Sequence, residues 1–213
     1  AEQKNEISLE QRYKRLSDIL GQNLLDIATC EEKTDWRLLR RRELGWRLYS
    51  YAKLKGKRIV FVSDTYYGED YIKSLLTHLG YEIQDGLLFV SSKYGEMKNN
   101  GKLYPIVMKT LAIPSNAILH IGDNPVADGL RAKENNISSI VIDRSYDVFK
   151  KNSLLSSSLK KFGRVEMSIV EALISNRYYN LPFKNRNATF VGNDPEKFGY
   201  SILGVMFLSF AKW

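Results

Sequence analysis

Six polar residues of this chain have the types and the order that a phosphate and metal site requires. They are Ser63, Asp64, Lys98, Asp123, Asn124 and Asp128. A serine hydroxyl beside a helix N-terminus can hold phosphoryl oxygens, and a lysine supplies positive charge for the same oxygens. Two carboxylates near one strand end can hold Mg²⁺, a hard cation that prefers a few carboxylates together with water and phosphate. Each residue taken singly is more typical of a helix cap, a turn or a surface position, but the ordered set indicates one shared site.

The elements around these residues predict a sheet that brings them together. Short apolar segments are predicted as strands at 58–63, 87–91, 117–121 and 139–142, with helices between them near 69–79, 103–112 and 126–135. Strands alternating with amphipathic helices indicate a mostly parallel sheet with helices on both faces. Because the carboxyl ends of parallel strands lie at one edge of a sheet, we expect the candidate residues to converge on one crevice.

The flanking segments are predicted to be helical. A capping box at Ser8–Gln11 predicts a helix to about Leu20 that Gly21 ends, and a second helix is expected from Thr34 or Asp35 to Lys55. Beyond about residue 145 the pattern predicts a polar linker, "KKNSLLSSSLKK", then a helix near 165–176 and an apolar helix from about Pro195. The predicted parts are a helical cap segment at 1–56, an α/β core at 57–145 and a C-terminal helical extension at 146–213.

Composition limits the classes of protein to which this chain can belong. The 213 residues carry a net charge of +8 and one cysteine, Cys30, so no internal disulfide can form and a reducing, cytoplasmic location is expected. No apolar run reaches the roughly 20 residues of a membrane span, and the polar start "AEQKNEISLEQ" is not typical of a signal peptide. The basic cluster is predicted to be a solvated helix face, and nucleic-acid binding ranks low because no such module accompanies it. Its members are Arg37, Arg40, Arg41, Arg42 and Arg47.

The motifs resemble those of the haloacid dehalogenase-like (HAD) superfamily. "VFVSDTYY" is similar to its second motif, Lys98 in "MKNNGKLYPIV" has the spacing of its third-motif lysine, and "ILHIGDNPVADGLRA" is similar to its fourth motif. The set also resembles HAD modules of bacterial surface-polysaccharide synthesis, which often stand beside glycosyltransferase domains. This likeness covers residues 58–142.

The resemblance implies a fold and a reaction. The fold is a Rossmann-like three-layer sandwich with a parallel sheet, and the reaction is Mg²⁺-dependent hydrolysis of a small phosphorylated metabolite through an aspartyl-phosphate. It implies that Ser63 binds the transferring phosphoryl group and that Lys98 neutralises this group and the nucleophile. Asp123 would hold Mg²⁺, and Asp128 would do so directly or through water. Asp64 and Asn124 are expected to contact substrate in the crevice, and helix capping or an indirect contact is the other role open to Asp64.

One departure from the family pattern shapes the functional hypothesis. The family nucleophile belongs to a strand ending Asp-x-Asp, and no such strand occurs in these residues. Asp64 is a poor substitute, since Tyr66 would then occupy the place of the second aspartate. We therefore expect an upstream segment or domain to supply the nucleophile. The alternative is a non-catalytic HAD-like module that binds a phosphorylated ligand or a partner domain of polysaccharide synthesis.

Overall fold

The computed structural model describes residues 6–151 and 163–180, together with residues 157, 204 and 207. The chain divides into two compact units, one formed by Ala1–Arg41 and Leu48–Ile142 and the other by Arg42–Arg47 and Asp143–Trp213. The three-part division expected from the sequence stays a prediction.

The first unit is a mixed α/β structure. Its helices are α1 (Leu9–Leu20), α2 (Leu25–Leu38), α4 (Glu69–His78), α5 (Ser91–Tyr94), α6 (Leu103–Leu111) and α7 (Arg131–Glu134), and α3 (Glu43–Leu54) contributes residues to both units. Its strands are β1 (Phe61–Ser63), β2 (Leu88–Val90), β3 (Leu119–Gly122) and β4 (Ser138–Val141). A 3₁₀ turn at Ser115–Ala117 precedes β3, and a π-helical turn at Pro125–Leu130 follows it.

The strands form two separate parallel pairs. β1 pairs with β2, so that Phe61 lies opposite Leu88, and β3 pairs with β4, so that His120 lies opposite Ser139. Within the described residues, β1 and β3 are not hydrogen-bonded to each other, and each has one strand neighbour. The four predicted strands and their parallel direction are confirmed, and the continuous sheet of a three-layer sandwich is not formed by these residues.

The first helix begins and ends where its sequence predicts. The Oγ of Ser8 accepts the backbone N–H of Gln11 at 3.2 Å, and the Gln11 side chain accepts the Ser8 N–H at 3.0 Å. Gly21 follows the helix with a φ of +66°, in the left-handed region that favours glycine. The capping box and the helix stop are therefore confirmed.

The next predicted helix is wrong, because the chain forms two helices where one was expected. α2 ends at Leu38, and Leu39 is extended, with φ −64° and ψ 137°. The Arg40 side chain donates to the carbonyl oxygens of Arg37 and Leu39, at 2.6 and 2.8 Å. An arginine that satisfies the last free carbonyls of a helix stabilises its end, and this local contact is not visible in the apolar spacing.

Two apolar clusters form the core of the first unit. One joins α1, α2, α4 and β2, and its buried members are Leu9, Ala28, Tyr67, Ile72, Leu88 and Val90. The other joins α6, α7 and the segment before β4 through Tyr104, Ala132 and Ile137. All three residues of β2 are buried, whereas Leu119 and Ile140 of the second pair are 57% and 49% exposed. One face of the β3–β4 pair is thus apolar and uncovered by the described residues.

Tyrosine hydroxyls connect α1 and α2 to the loop that follows β1. Tyr66 and Tyr13 both donate to the Glu31 carboxylate, at 2.6 and 2.7 Å, and Tyr67 donates to Asp35 at 2.7 Å. Burial, followed by the hydrogen bond to Asp35, raises the pKa of Tyr67 above its ordinary value, so this hydroxyl stays a donor. The N-terminal helices are in this way bonded to the residues directly after β1.

The described part of the second unit contains two packed helices. These are α8 (Ser145–Lys150) and α9 (Arg164–Tyr178), joined through buried Phe149 and Ile174. Helix α9 confirms the predicted helix near 165–176, while most of the predicted linker and the apolar C-terminal helix lie outside the described residues. No helix in the described ranges is both long enough and apolar enough to cross a lipid bilayer.

Candidate functional site

An ion pair between Lys98 and Asp128 lies at the centre of the candidate site. Lys98 Nζ is 2.6 Å from Asp128 Oδ1, and the two side chains are only 12% and 3% exposed. Lys98 stands in loop 95–102, between α5 and α6, and Asp128 stands in the π-helical turn after β3. Two charges so far removed from water depend on each other, because losing either leaves the other buried and unpaired.

Asp64 holds the backbone of the loop that carries the lysine. Its Oδ1 accepts the N–H of Lys98 at 2.7 Å, and its Oδ2 accepts the N–H of Asn99 at 3.0 Å. Asp64 directly follows β1, so these bonds fasten the lysine loop to the carboxyl end of that strand. The loop then turns back through Gly101, whose N–H donates to the Lys98 carbonyl at 2.8 Å with φ +78°.

Asp128 is fixed against the end of the other strand pair. Its Oδ2 accepts the backbone N–H of Asn124 at 2.9 Å. A Cβ added at Gly122 would lie 2.2 Å from the Asp128 Cγ, so glycine at this position allows the carboxylate to lie against the strand. Lys98 therefore connects the carboxyl end of β1, through Asp64, with that of β3, through Asp128.

Asn124 caps the π-helical turn. Its side-chain oxygen accepts the N–H groups of Val126 and Ala127, at 2.9 and 3.1 Å. The turn closes on a bond from the Arg131 N–H to the Val126 carbonyl, five residues back. Such turns widen a helix locally, and here the wider turn carries Asp128.

His120 and Tyr104 complete the surroundings of the buried carboxylate. His120 Nε2 is 2.8 Å from Asp128 Oδ1, the same oxygen that Lys98 contacts. The Tyr104 ring meets the His120 ring edge-on, with centroids 5.3 Å apart, and the Tyr104 hydroxyl donates to the Ala127 carbonyl at 2.8 Å. Three donors thus surround the Asp128 carboxylate: His120, Lys98 and the N–H of Asn124.

These donors keep Asp128 ionised. Burial by itself would raise the pKa of the carboxyl, but the hydrogen bond from His120 and the charge and hydrogen bond of Lys98 outweigh it. The pKa of Asp128 consequently lies below its ordinary value. The site therefore contains a buried anion whose charge is balanced by the lysine that faces it.

The remaining candidates, Ser63 and Asp123, lie at the ends of β1 and β3. Ser63 is half-buried and Asp123 is exposed. Among the described residues the exposed Asp123 carboxylate makes no hydrogen bond or ion pair, whereas both oxygens of Asp128 already accept hydrogen bonds. This donor set fits a hydrated Mg²⁺, which commonly binds one or two carboxylates and keeps several waters. It favours the arrangement in which Asp123 binds the ion and Asp128 acts through water.

The metal assignment itself stays a prediction. Within the described part of the chain, no group of three or more His, Cys, Asp and Glu side chains is arranged to hold a metal ion. Sites of the kind expected here use fewer protein ligands, because water and phosphate complete the shell.

Hydrogen bonds connect four of the six residues predicted from the sequence, and two further residues, His120 and Tyr104, belong to the same site. Lys98, Asp128, Asp64 and Asn124 form one hydrogen-bonded network. The contacts of Asp64 are those of its indirect role, and the assignment of Asp64 and Asn124 to substrate binding stays a prediction. His120 and Tyr104 were not singled out from the sequence. A lone polar residue inside the apolar segment 117–121 was the available signal for His120, but spacing alone does not give it a partner.

No protein-family model and no curated protein matches this chain.

Proposed function

We propose that this chain is the larger part of a Mg²⁺-dependent phosphohydrolase of the HAD type, acting on a small phosphorylated metabolite. A sugar phosphate of polysaccharide synthesis is one candidate substrate. The nucleophilic aspartate, which would form the aspartyl-phosphate, is supplied by an upstream segment or domain. We also propose that the complete protein has the three-layer sandwich fold and is located in the cytoplasm.

The observation that carries the proposal is the position of Lys98. Its backbone is bonded to Asp64 after β1, and its ammonium is bonded to Asp128 after β3. A cation fixed where two parallel strands end is placed to bind an anionic ligand at that edge. A lysine that served only to solubilise the surface would not be 12% exposed and paired at 2.6 Å.

The division of the strands into two separate pairs supports the proposal that a central strand belongs between them. β1 and β3 each have one neighbour within the described residues, so each leaves one edge of backbone N–H and C=O groups without a strand partner. An additional strand between them would turn two pairs into one sheet, and a helix layer would cover the exposed Leu119 and Ile140. In this proposal that strand carries the nucleophile.

The side chains then have distinct roles. Ser63 binds the phosphoryl group, and Lys98 neutralises its charge. Asp123 would hold Mg²⁺, and Asp128 would orient Lys98 and contact the ion through water. When bound, Mg²⁺ would supply positive charge for the phosphoryl oxygens. Asp64 keeps the lysine loop at the end of β1.

The test is the hydrolysis of p-nitrophenyl phosphate by the native protein that contains this chain, with and without Mg²⁺. We expect Lys98→Ala to lower kcat/KM by about 100-fold or more, as loss of a charge contact in the transition state does. Lys102→Ala is the matched control, because Lys102 stands in the same loop but its side chain is 48% exposed. A change below about threefold in Lys98→Ala would remove Lys98 from the mechanism.

A non-catalytic phosphate-binding module is the second candidate, and the absence of an Asp-x-Asp strand from these residues favours it. Such a module would bind inorganic phosphate in a Lys98-dependent manner and would show no Mg²⁺-dependent turnover in the native protein. Calorimetric titration with phosphate, run beside the hydrolysis assay, separates the two functions.

A further inference from the structure

We propose that His120 is a positioning residue that directs the Lys98 ammonium by holding the Asp128 carboxylate in one orientation. The proposed function assigns no role to His120. Its effect on phosphate binding rests on that proposed function, whereas the positioning of Lys98 does not.

The first support is that Lys98 and His120 contact the same carboxylate oxygen of Asp128. Asp128 Oδ1 is 2.6 Å from Lys98 Nζ and 2.8 Å from His120 Nε2. Because an ionised carboxylate can only accept, the Nε2 atom of His120 carries the proton of this bond. The backbone N–H of Asn124 holds the other oxygen at 2.9 Å, so donors on both sides define the carboxylate plane.

The second support is that His120 is itself held firmly. Strand pairing places it opposite Ser139, and its side chain is 12% exposed. The Tyr104 ring packs against it at 82°, and the hydroxyl of Tyr104 is anchored on the Ala127 carbonyl. A ring fixed by a strand and by an aromatic neighbour has little rotational freedom, so the direction of its N–H is set.

The third support is the scarcity of other constraints on Lys98. The side chain is long and unbranched, and among the described residues its charged end makes one polar contact, with the Asp128 carboxylate. Without the His120 bond, Oδ1 would be held by Lys98 alone, and the other restraints on the carboxylate would be the Asn124 N–H on Oδ2 and the packing against Gly122. The histidine therefore adds the restraint on Oδ1, the oxygen that Lys98 contacts.

The test compares substitutions that keep or remove the donor. His120→Gln places an amide nitrogen as many bonds from the backbone as Nε2 and can restore the hydrogen bond. His120→Asn is equally polar but one bond shorter, and His120→Leu has no donor. All three lose the ring packing on Tyr104, so differences among them report the hydrogen bond. The readout is the ¹⁵N–¹H signal of the Lys98 ammonium in the native protein that contains this chain, assigned with Lys98→Arg.

We expect a slowly exchanging Lys98 ammonium signal in the wild type and in His120→Gln, and its loss in His120→Asn and His120→Leu. If His120→Leu does not fold, the comparison of His120→Gln with His120→Asn alone tests the role of the hydrogen bond. Retention of the signal in His120→Asn, or its equal loss in the Gln and Asn variants, would overturn the positioning role.

A titration with inorganic phosphate separates this inference from the proposed function. We expect His120→Asn to bind phosphate about tenfold or more weakly than His120→Gln, the ratio typical of losing a hydrogen bond to a charged group. A native protein containing this chain that shows the predicted ammonium signals and binds no phosphate would support the positioning role and contradict the proposed phosphate site.

Discussion

At the scale of single residues, the lysine is held at both ends. Asp64 fixes the backbone at Lys98, and Asp128 fixes the ammonium. The sequence placed all three residues at strand ends, and for that reason they could be predicted to meet. It could not tell which carboxylate would bind backbone and which would bind the ammonium. That division depends on the loop path through Gly101 and on the close approach of Asp128 to Gly122.

Removing the Asp64 carboxylate should loosen the lysine loop without unfolding the domain. In Asp64→Ala, the N–H groups of Lys98 and Asn99 lose their acceptors, so their hydrogen exchange should accelerate about 10- to 100-fold. Asp64→Asn keeps one acceptor and should protect one of the two amides. The buried amide of Val90 serves as the internal control. Unchanged exchange at residues 98 and 99 in Asp64→Ala would show that Asp64 does not hold the loop.

Adding one methyl group at Gly122 should disturb the same site from the strand side. The new Cβ would lie 2.2 Å from Asp128 Cγ and 2.6 Å from Asp128 Cβ, atoms that hydrogen bonds prevent from moving away. We expect Gly122→Ala to lower the free energy of unfolding by about 1–3 kcal/mol in urea denaturation, the usual cost of overpacking. Gly68→Ala is the control, because nothing lies within 4 Å of its added Cβ and its φ is −66°. Equal stability of the two variants would contradict the predicted clash.

At the scale of elements, α1 and α2 depend on the loop after β1 through Glu31. Hydrogen bonds from Tyr66 and then Tyr13 lower the pKa of the Glu31 carboxyl below its ordinary value of 4.5. The unfolded chain therefore binds a proton at a higher pH than the folded chain does. The stabilisation by Glu31 is fully present above the unfolded pKa and is lost as the pH falls through the folded pKa.

Glu31→Gln should accordingly change the pH dependence of stability. We expect the variant to be less stable than the wild type at about pH 7 and the difference to narrow below about pH 4.5, as the wild-type carboxylate takes up its proton. Urea denaturation at a series of pH values measures this. Glu32→Gln is the control, because the backbone carbonyl of Glu32, and not its side chain, accepts the Tyr71 hydroxyl at 2.9 Å. If the difference in unfolding free energy between the wild type and Glu31→Gln stays constant across this pH range, the proposed titration of Glu31 is excluded.

Elements with strong local signals could be predicted, and those that depend on distant contacts could not. The capping box at Ser8 and the apolar strand at Leu88–Val90 carry their own signals, and both are formed. The break after α2 depends on an arginine that folds back on carbonyls, and apolar periodicity does not report such a bond. The π-helical turn after β3 was predicted as an ordinary helix, since spacing cannot distinguish the two over six residues.

At the scale of the whole molecule, the two strand pairs and the lysine that links their ends are the main structural result. One mostly parallel sheet was expected from the sequence, but among the described residues β1 and β3 are not hydrogen-bonded to each other. A buried central strand carries several large apolar side chains, each worth about 1.5–3 kcal/mol when removed from water. If the proposed strand is added, we expect both stability and activity to rise together.

The most direct measurement compares Mg²⁺-dependent p-nitrophenyl phosphate hydrolysis by the 213-residue chain with that of the same chain extended by its native upstream residues. Lys98→Ala is measured in both forms. The proposal predicts turnover in the extended form alone and its loss, by about 100-fold or more, in Lys98→Ala. Equal turnover by the 213-residue chain would contradict it and would return Asp64 to consideration as the nucleophile.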